Sequence, residues 1–440
     1  NYPTGTDNVA LGDTALDSIA AGGTDNVAIG NHSGTAITTG DKNTAVGSLS
    51  LEANTTASYN TAVGFSSLKT NITGAGNTGL GYRSLELTTG ANNTGLGYEA
   101  GAANAGGASN TAIGKSALCK NTTGNSNVAV GISALFANTT ADNNVAIGQQ
   151  ALTSNTTGTR NVAVGCGALL SNVNDNDNTG VGFATLVNSS GQQNTAVGSS
   201  ALNSNTSATG NTAVGYYASE ANTTGASNVA IGSCALLCNI SGSENTVVGM
   251  NAARLTTGSA NVAVGHSALE DNTSGASNTA LGREALHTNT TASNNVAVGK
   301  RALYLNTTGT NNSAVGKDAL NNNTEGDNNV AVGTGALVAN TTADNNTAVG
   351  MSALLANTEG GGNTAIGLCA MNANTTGDQN VAIGLNTMQD NTTANNNTAV
   401  GFRAMDKNTT GTNNVGIGHD TLRCNTTSDN NTAVGVQALC

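Results

Sequence analysis

The chain has 440 residues, of which 58 are Gly and one is Pro; it has no Trp, 2% aromatic and 9% charged residues, yet 37% of it is apolar. Disordered chains carry more charge and more Pro, so this composition predicts a folded protein. The net charge of -12 is thinly spread with no basic run, and no apolar run reaches membrane-spanning length, so nucleic acid, anionic membrane surfaces and membrane insertion are poor fits.

From Asn8 onward the chain repeats itself. An Asn opening a pentapeptide such as Asn329-Val330-Ala331-Val332-Gly333 occurs 26 times up to Asn431, and of the 25 intervals 21 are 17 residues, three are 16 and one is 18. A fixed period in this range marks a solenoid, whose units bury an apolar face only by stacking. The whole of 1–440 therefore reads as one continuous array. Because Cys440 falls inside the last repeat, the array is expected to be a segment of a longer fibre protein.

Aligned on that Asn, the units read N-[T/V]-A-[V/I]-G-x-x-A-L-x-x-N-T-T-G-x-x, numbered as columns 1 to 17. Columns 2 to 4 predict a short strand. Side chains alternate along a strand, so the Thr/Val of column 2 and the Val/Ile/Leu of column 4 are expected to point inward together, and the Ala or Gly of column 3 outward. The invariant column 5 Gly fits a corner that needs positive φ or close backbone approach. Column 9 is Leu or Met in 22 units and predicts a second inward position. The Asn-Thr-Thr-Gly that follows predicts a surface turn. This reading expects Val332→Asp to unfold neighbouring coils and Asn340→Ala to cost little.

The units that lose a residue do so between column 9 and the end of that turn, at LELTTG (85–90), LVNSSG (186–191) and RLTTG (254–258). Deletions collect in loops. Strand, Gly corner, second apolar segment and turn make one coil of an all-β, parallel β-solenoid of about 26 coils of 17 residues. Gly and β-branched residues in each coil, without lasting 3.6-residue periodicity, argue against helix.

The hexapeptides NNVAIG (143–148), SNVAIG (227–232) and NNVAVG (328–333) resemble the YadA-like head repeats of trimeric autotransporter adhesins and similar repeats of phage and viral tail-fibre proteins. The resemblance covers essentially the whole chain. It implies a left-handed β-roll, assembled as a homotrimer, displayed outside a cell or on a virion or other particle, and used for attachment. The coil here is longer than the family's usual repeat by the Asn-Thr-Thr-Gly turn.

No constellation of catalytic residues stands out, and the reading is non-enzymatic, with no cofactor and no metal. The four His (32, 266, 287 and 419) lie far apart in variable columns without metal-ligand spacing. Asp recurs at column 16 (Asp142, Asp327, Asp344, Asp378 and Asp429) in a ladder too broken for calcium, and fits an Asx-turn or a solvated loop. Seven Cys occupy variable columns; only Cys424 and Cys440 sit in consecutive coils at columns 11 and 10, close enough for a disulfide. Column 6 collects the bulky residues Phe65, Tyr82, Tyr98, Phe183, Tyr216 and Phe402, with Lys115, Arg283, Lys300 and Lys317. It is either a partner-facing stripe or a bend where large side chains lean over the corner.

Column 12 makes the sequon Asn-x-Ser/Thr at Asn54, Asn71, Asn121, Asn138, Asn155, Asn205, Asn222, Asn239, Asn272, Asn289, Asn306, Asn340, Asn374, Asn391, Asn408 and Asn425. A surface turn would accept N-linked glycans in a secretory setting. Alternatively, Asn, Thr and Gly form good turns whose stacked amides bond coil to coil, and Asn323 and Asn357 keep the turn while losing the sequon.

The function expected is that of an extracellular structural or adhesive fibre at a cell or virion surface, a rigid rod for display or attachment. Its expected partners are copies of itself, as a homotrimer or end to end, and a host or matrix receptor or glycan. Two alternatives are a glycan-coated filament assembled end to end, and an ice- or crystal-binding solenoid. The latter needs an outward Thr array.

Overall fold

A computed structural model describes residues 5–440. Twenty-six strands of three residues, one per repeat, are the regular elements, and no described residue is helical. The protein is all-β and each repeat is one turn of a parallel β-solenoid. Two compact units divide the chain: residues 1–217 carry β1 (Val9–Leu11) to β13 (Thr212–Val214), and residues 218–440 carry β14 (Val229–Ile231) to β26 (Thr432–Val434). Within each unit every strand pairs in parallel with the next one in the chain. The register sets like against like, as in Val330↔Thr347, Ala331↔Ala348 and Val332↔Val349.

The faces of the strand are the reverse of the sequence expectation. Column 3 points inward: Ala28, Ala146, Ala331 and the one exception, Val247, are fully buried. Columns 2 and 4 point outward, and Leu80, Ile147, Leu281, Val332 and Ile383 are each 37 to 46% exposed. The coil is narrow: Val247 fits at column 3 in a coil whose column 9 is Ala253 instead of Leu. Where the facing wall presents Ser67, column 3 is Gly79, and a Cβ there would lie 2.5 Å from the Ser67 hydroxyl oxygen. The interior thus takes small residues from column 3, Ala, Ser or Thr from column 8 and mostly Leu or Met from column 9, with Ala235, Leu236, Ala302, Leu303, Ala370 and Met371 in one continuous cluster.

Two Asn ladders complete the interior. Each column 1 Asn accepts the main-chain N–H of the Asn in the next coil and donates its amide across its own coil; Asn329 Oδ1 takes Asn346 N–H at 2.9 Å while Asn329 Nδ2 donates to the Ala343 carbonyl at 2.8 Å. Where consecutive coils hold Asn at column 12, most of these Asn donate to the preceding coil's Asn Oδ1 and to the column 15 carbonyl of their own turn, as Asn340 does at 2.7 and 3.0 Å. A loop that runs inside a solenoid must satisfy its polar groups this way, since water does not reach them. In the 16-residue coils Thr88, Ser189 and Thr256 take the column 12 place and are equally buried.

The corners are made by backbone conformation. At the column 5 Gly350 φ is +138°, and an added Cβ would sit 2.4 Å from the Gly367 carbonyl oxygen, so Gly alone lets consecutive coils stack. Columns 7 and 9 are also left-handed, although rarely Gly: Leu303 and Leu337 both have φ +51°. That conformation is an outlier for β-branched residues. It explains why column 9 admits Leu and Met but never Val, Ile or Thr.

Candidate functional site

The consequence of the reversed strand is an outer surface with unusual chemistry. In all 26 repeats columns 2 and 4 hold only Thr, Val, Ser, Ile or Leu. Each unit therefore presents an outward sheet face without one charged residue. Thirteen strands about 4.8 Å apart, each about 10 Å long, give roughly 600 Å² per unit before the neighbouring column 6 is added. A standard protein–protein interface takes about 800 Å² from each partner.

Column 6 runs along the edge of that face beside the Gly corner. Its residues Phe65, Tyr82, Tyr98, Phe183, Tyr216 and Phe402 are 37 to 62% exposed, so large side chains do stand out from the corner. In the first unit three of them stack along the column, Phe65 on Tyr82 at 5.6 Å and Tyr82 on Tyr98 at 5.1 Å, with the Lys115 ammonium 6.0 Å from the last ring. Their faces cover one another and their edges face solvent. In the second unit column 6 reads His266, Arg283, Lys300 and Lys317 in four successive coils, then Thr334, then exposed Met351, Leu368, Leu385 and Phe402.

The sequon asparagines do not lie on the surface of their turn. Asn54, Asn71, Asn121, Asn138, Asn155, Asn205, Asn222, Asn239, Asn272, Asn289, Asn306, Asn340, Asn374, Asn391 and Asn408 are fully buried, and Asn425 is half-buried. Their amide nitrogens are committed to the ladder: Asn408 Nδ2 donates to the Gly411 carbonyl at 2.9 Å and Asn289 Nδ2 to Asn272 Oδ1 at 2.7 Å. A glycan on such a nitrogen would replace a ladder hydrogen and open the coil. Of the two readings of column 12, the geometry matches amides bonded coil to coil: the turn is on the surface, but its Asn is turned into the core.

The column 16 carboxylates have a definite task. Each accepts the main-chain N–H of the preceding coil: Asn125 to Asp142, Thr310 to Asp327, Asp327 to Asp344 and Thr412 to Asp429 at 2.6 Å, and Gly361 to Asp378 at 2.7 Å. They cap otherwise open donors between coils. Gly361 breaks this row and leaves a polar groove of 510 Å³ lined by Asp344, Glu359, Asp378 and Gln379. Among the described residues no three His, Cys, Asp or Glu side chains converge as metal ligands would. Cys424 and Cys440 do meet, as free thiols with Sγ atoms 3.9 Å apart.

Charged side chains gather along columns 6, 7, 10 and 11. The Arg301 guanidinium, hydrogen-bonded to Glu284 at 2.7 Å, overcomes the effect of burial and, with Arg283, lowers the Glu284 carboxyl to about 2. Asp175 is the opposite case. It occupies the column 15 position of Gly or Ala, is 7% exposed, and burial pushes its carboxyl up. The column 12 ladder fails beside it: Asn155 Oδ1, Asn172 Oδ1 and Asp175 Oδ2 are all buried without a hydrogen-bond partner.

Sequence reasoning missed the outward face and the polar interior. The available signal was the narrowness of column 3, which admits almost nothing but Ala and Gly, against the freer exchange of Thr, Val and Ser at column 2. No protein-family model matches the chain, and no characterised protein matches its sequence significantly.

Proposed function

We propose that the chain is a non-catalytic segment of an extracellular structural or adhesive fibre, displayed on a cell or particle, whose copies associate side by side through the outward strand face. The carrying observation is the uninterrupted, charge-free Thr/Val/Ile face of each unit. Soluble monomers rarely expose contiguous apolar patches beyond a few hundred Å². Covering about 25 cal/mol per Å² of apolar area favours association, and a rigid sheet loses little entropy when it docks. The resemblance to adhesin heads points the same way, toward a homotrimer.

Sedimentation equilibrium of the 440-residue protein tests the reading. The parent is expected to assemble at micromolar concentration, while Ile147→Lys with Val332→Lys, both on outward column 4, should be monomeric with an unchanged circular dichroism spectrum. A monomeric parent, or variants that assemble as the parent does, would sink the proposal.

A second reading gains from the reversed strand. Thr44, Thr61, Thr78, Thr94 and Thr111 form an outward row over five successive coils, β3 (Thr44–Val46) to β7 (Thr111–Ile113), which is the arrangement an ice-binding surface requires. Thermal hysteresis in a nanolitre osmometer separates the two, and its absence at millimolar protein removes the ice reading.

A further inference from the structure

The sequence contains no basic run, but the fold builds one. Residues 17 apart become neighbours about 4.8 Å apart. His266, Arg283, Lys300 and Lys317 therefore stand in one line, a little under 15 Å long, on four successive coils of the second unit. All four are exposed, Arg283 and Lys317 with 60 and 61% of their side chains free. Arg301 lies beside the line in column 7.

The nearby carboxylates do not cancel the row. Glu284 accepts from both Arg283 Nη2 at 2.8 Å and Arg301 Nε at 2.7 Å, and Asp318 lies 3.5 Å from Lys317 Nζ. Lys300 has no ion-pair partner among the described residues. Four permanent cations against two carboxylates leave an excess of two positive charges, on a chain whose net charge is -12. Exposed Leu281 and Val315 in column 4 flank the line on one side.

We infer that this row binds a linear anionic polysaccharide carrying about one acidic group per sugar. This rests on the attachment reading and names what is attached. The match is one of spacing and width. A pyranose ring spans roughly one strand spacing, so successive acidic groups meet successive cations. A nucleic-acid duplex fits worse, because its two phosphate rows spread over a wider surface and bring charge onto Glu284 and Asp318. Single-stranded nucleic acid needs free aromatic rings for stacking. The one Phe, Tyr or Trp of these four coils, Tyr304, is already packed against His287 at 5.2 Å and under Arg301 at 5.4 Å.

The test is fluorescence anisotropy on the full 440-residue protein with four labelled probes: a sulfated polysaccharide, polygalacturonate, neutral dextran and a fifteen-nucleotide oligo-dT. At least one of the two anionic polysaccharides should bind at low salt, more weakly as ionic strength rises, and neutral dextran should not. Which of the two binds tells sulfate ester from uronate. The triple variant Arg283→Ser, Lys300→Ser, Lys317→Ser should lose at least tenfold in affinity while keeping the parent's melting temperature, and Lys115→Ser, a solitary column 6 cation in the other unit, should lose nothing. Binding of neither anionic chain, a triple variant within twofold of the parent, or tighter binding of oligo-dT than of either polysaccharide overturns the inference. Sedimentation of the same samples keeps the two readings apart: a parent that binds polysaccharide but stays monomeric defeats side-by-side assembly alone, and one that assembles without binding defeats the polysaccharide alone.

Discussion

Asn340→Ala is the most informative single change. Asn340 is fully buried, donates to Asn323 Oδ1 at 2.7 Å and to the Ala343 carbonyl at 3.0 Å, and accepts from Asn357 Nδ2 at 3.1 Å. The substitution leaves Asn323 Oδ1 without a donor and removes one of the two acceptors of Asn357 Nδ2, whose other bond goes to the Gly360 carbonyl. The Ala343 carbonyl is spared, since Asn329 Nδ2 also donates to it at 2.8 Å. An orphaned buried polar atom costs about 1 to 3 kcal/mol, so Asn323 Oδ1, with the lost bond of Asn357 Nδ2 and the space left by the amide, puts the expected destabilisation at about 2 to 4 kcal/mol. Val332→Asp, at a site 38% exposed, should cost under about 1 kcal/mol. The two effects thus stand in the opposite order to that expected from the sequence. Denaturant unfolding followed by circular dichroism gives the totals, and hydrogen exchange shows whether the loss is centred on the coils holding Asn323 and Asn357. An Asn340→Ala cost below about 1 kcal/mol, or one no larger than that of Val332→Asp, would refute the buried-ladder argument.

Two further predictions follow from backbone and charge. Leu337 has φ +51°, where a β-branched side chain is strained by about 1 to 3 kcal/mol, so Leu337→Ile should lose about 2 kcal/mol in denaturant melts. Leu337→Met should be nearly neutral, because Met371, Met388 and Met405 already occupy column 9 with φ between +48° and +53°. The pH dependence carries two opposite signs. Asp175, raised by burial, contributes stability that is present below its unfolded value and lost as pH rises through its folded one; Asp175→Asn should therefore melt higher than the parent at neutral pH and equally at pH 3. Glu284, lowered to about 2 chiefly by its bond to Arg301, contributes stability above its unfolded value near 4.3 that is lost as pH falls toward 2. Glu284→Gln should melt below the parent at pH 7, with the gap closing in acid.

The sequence by itself determined the period, the strand at columns 2 to 4, the Gly corner, the turn and the all-β parallel stacking, because each rests on a local rule repeated often enough to be unmistakable. Column 5 is Gly in every repeat since a Cβ at Gly350 would strike the next coil, and column 9 is unbranched at Cβ since its backbone is left-handed. Only the tertiary structure decided which side of the strand is inside. Alternation says that Val332 and Ala331 face opposite ways; it does not say which wall each meets, and hydrophobicity alone favours burying Val. The width of the coil overrides that preference, because a core one Leu thick has room only for Ala331 beside Leu337. With the larger residues outside, the polar ones were free to go in, and Asn340 became part of the core instead of its surface. The row of Arg283, Lys300 and Lys317 has the same origin: three cations that are isolated along the chain become adjacent once the coils are stacked.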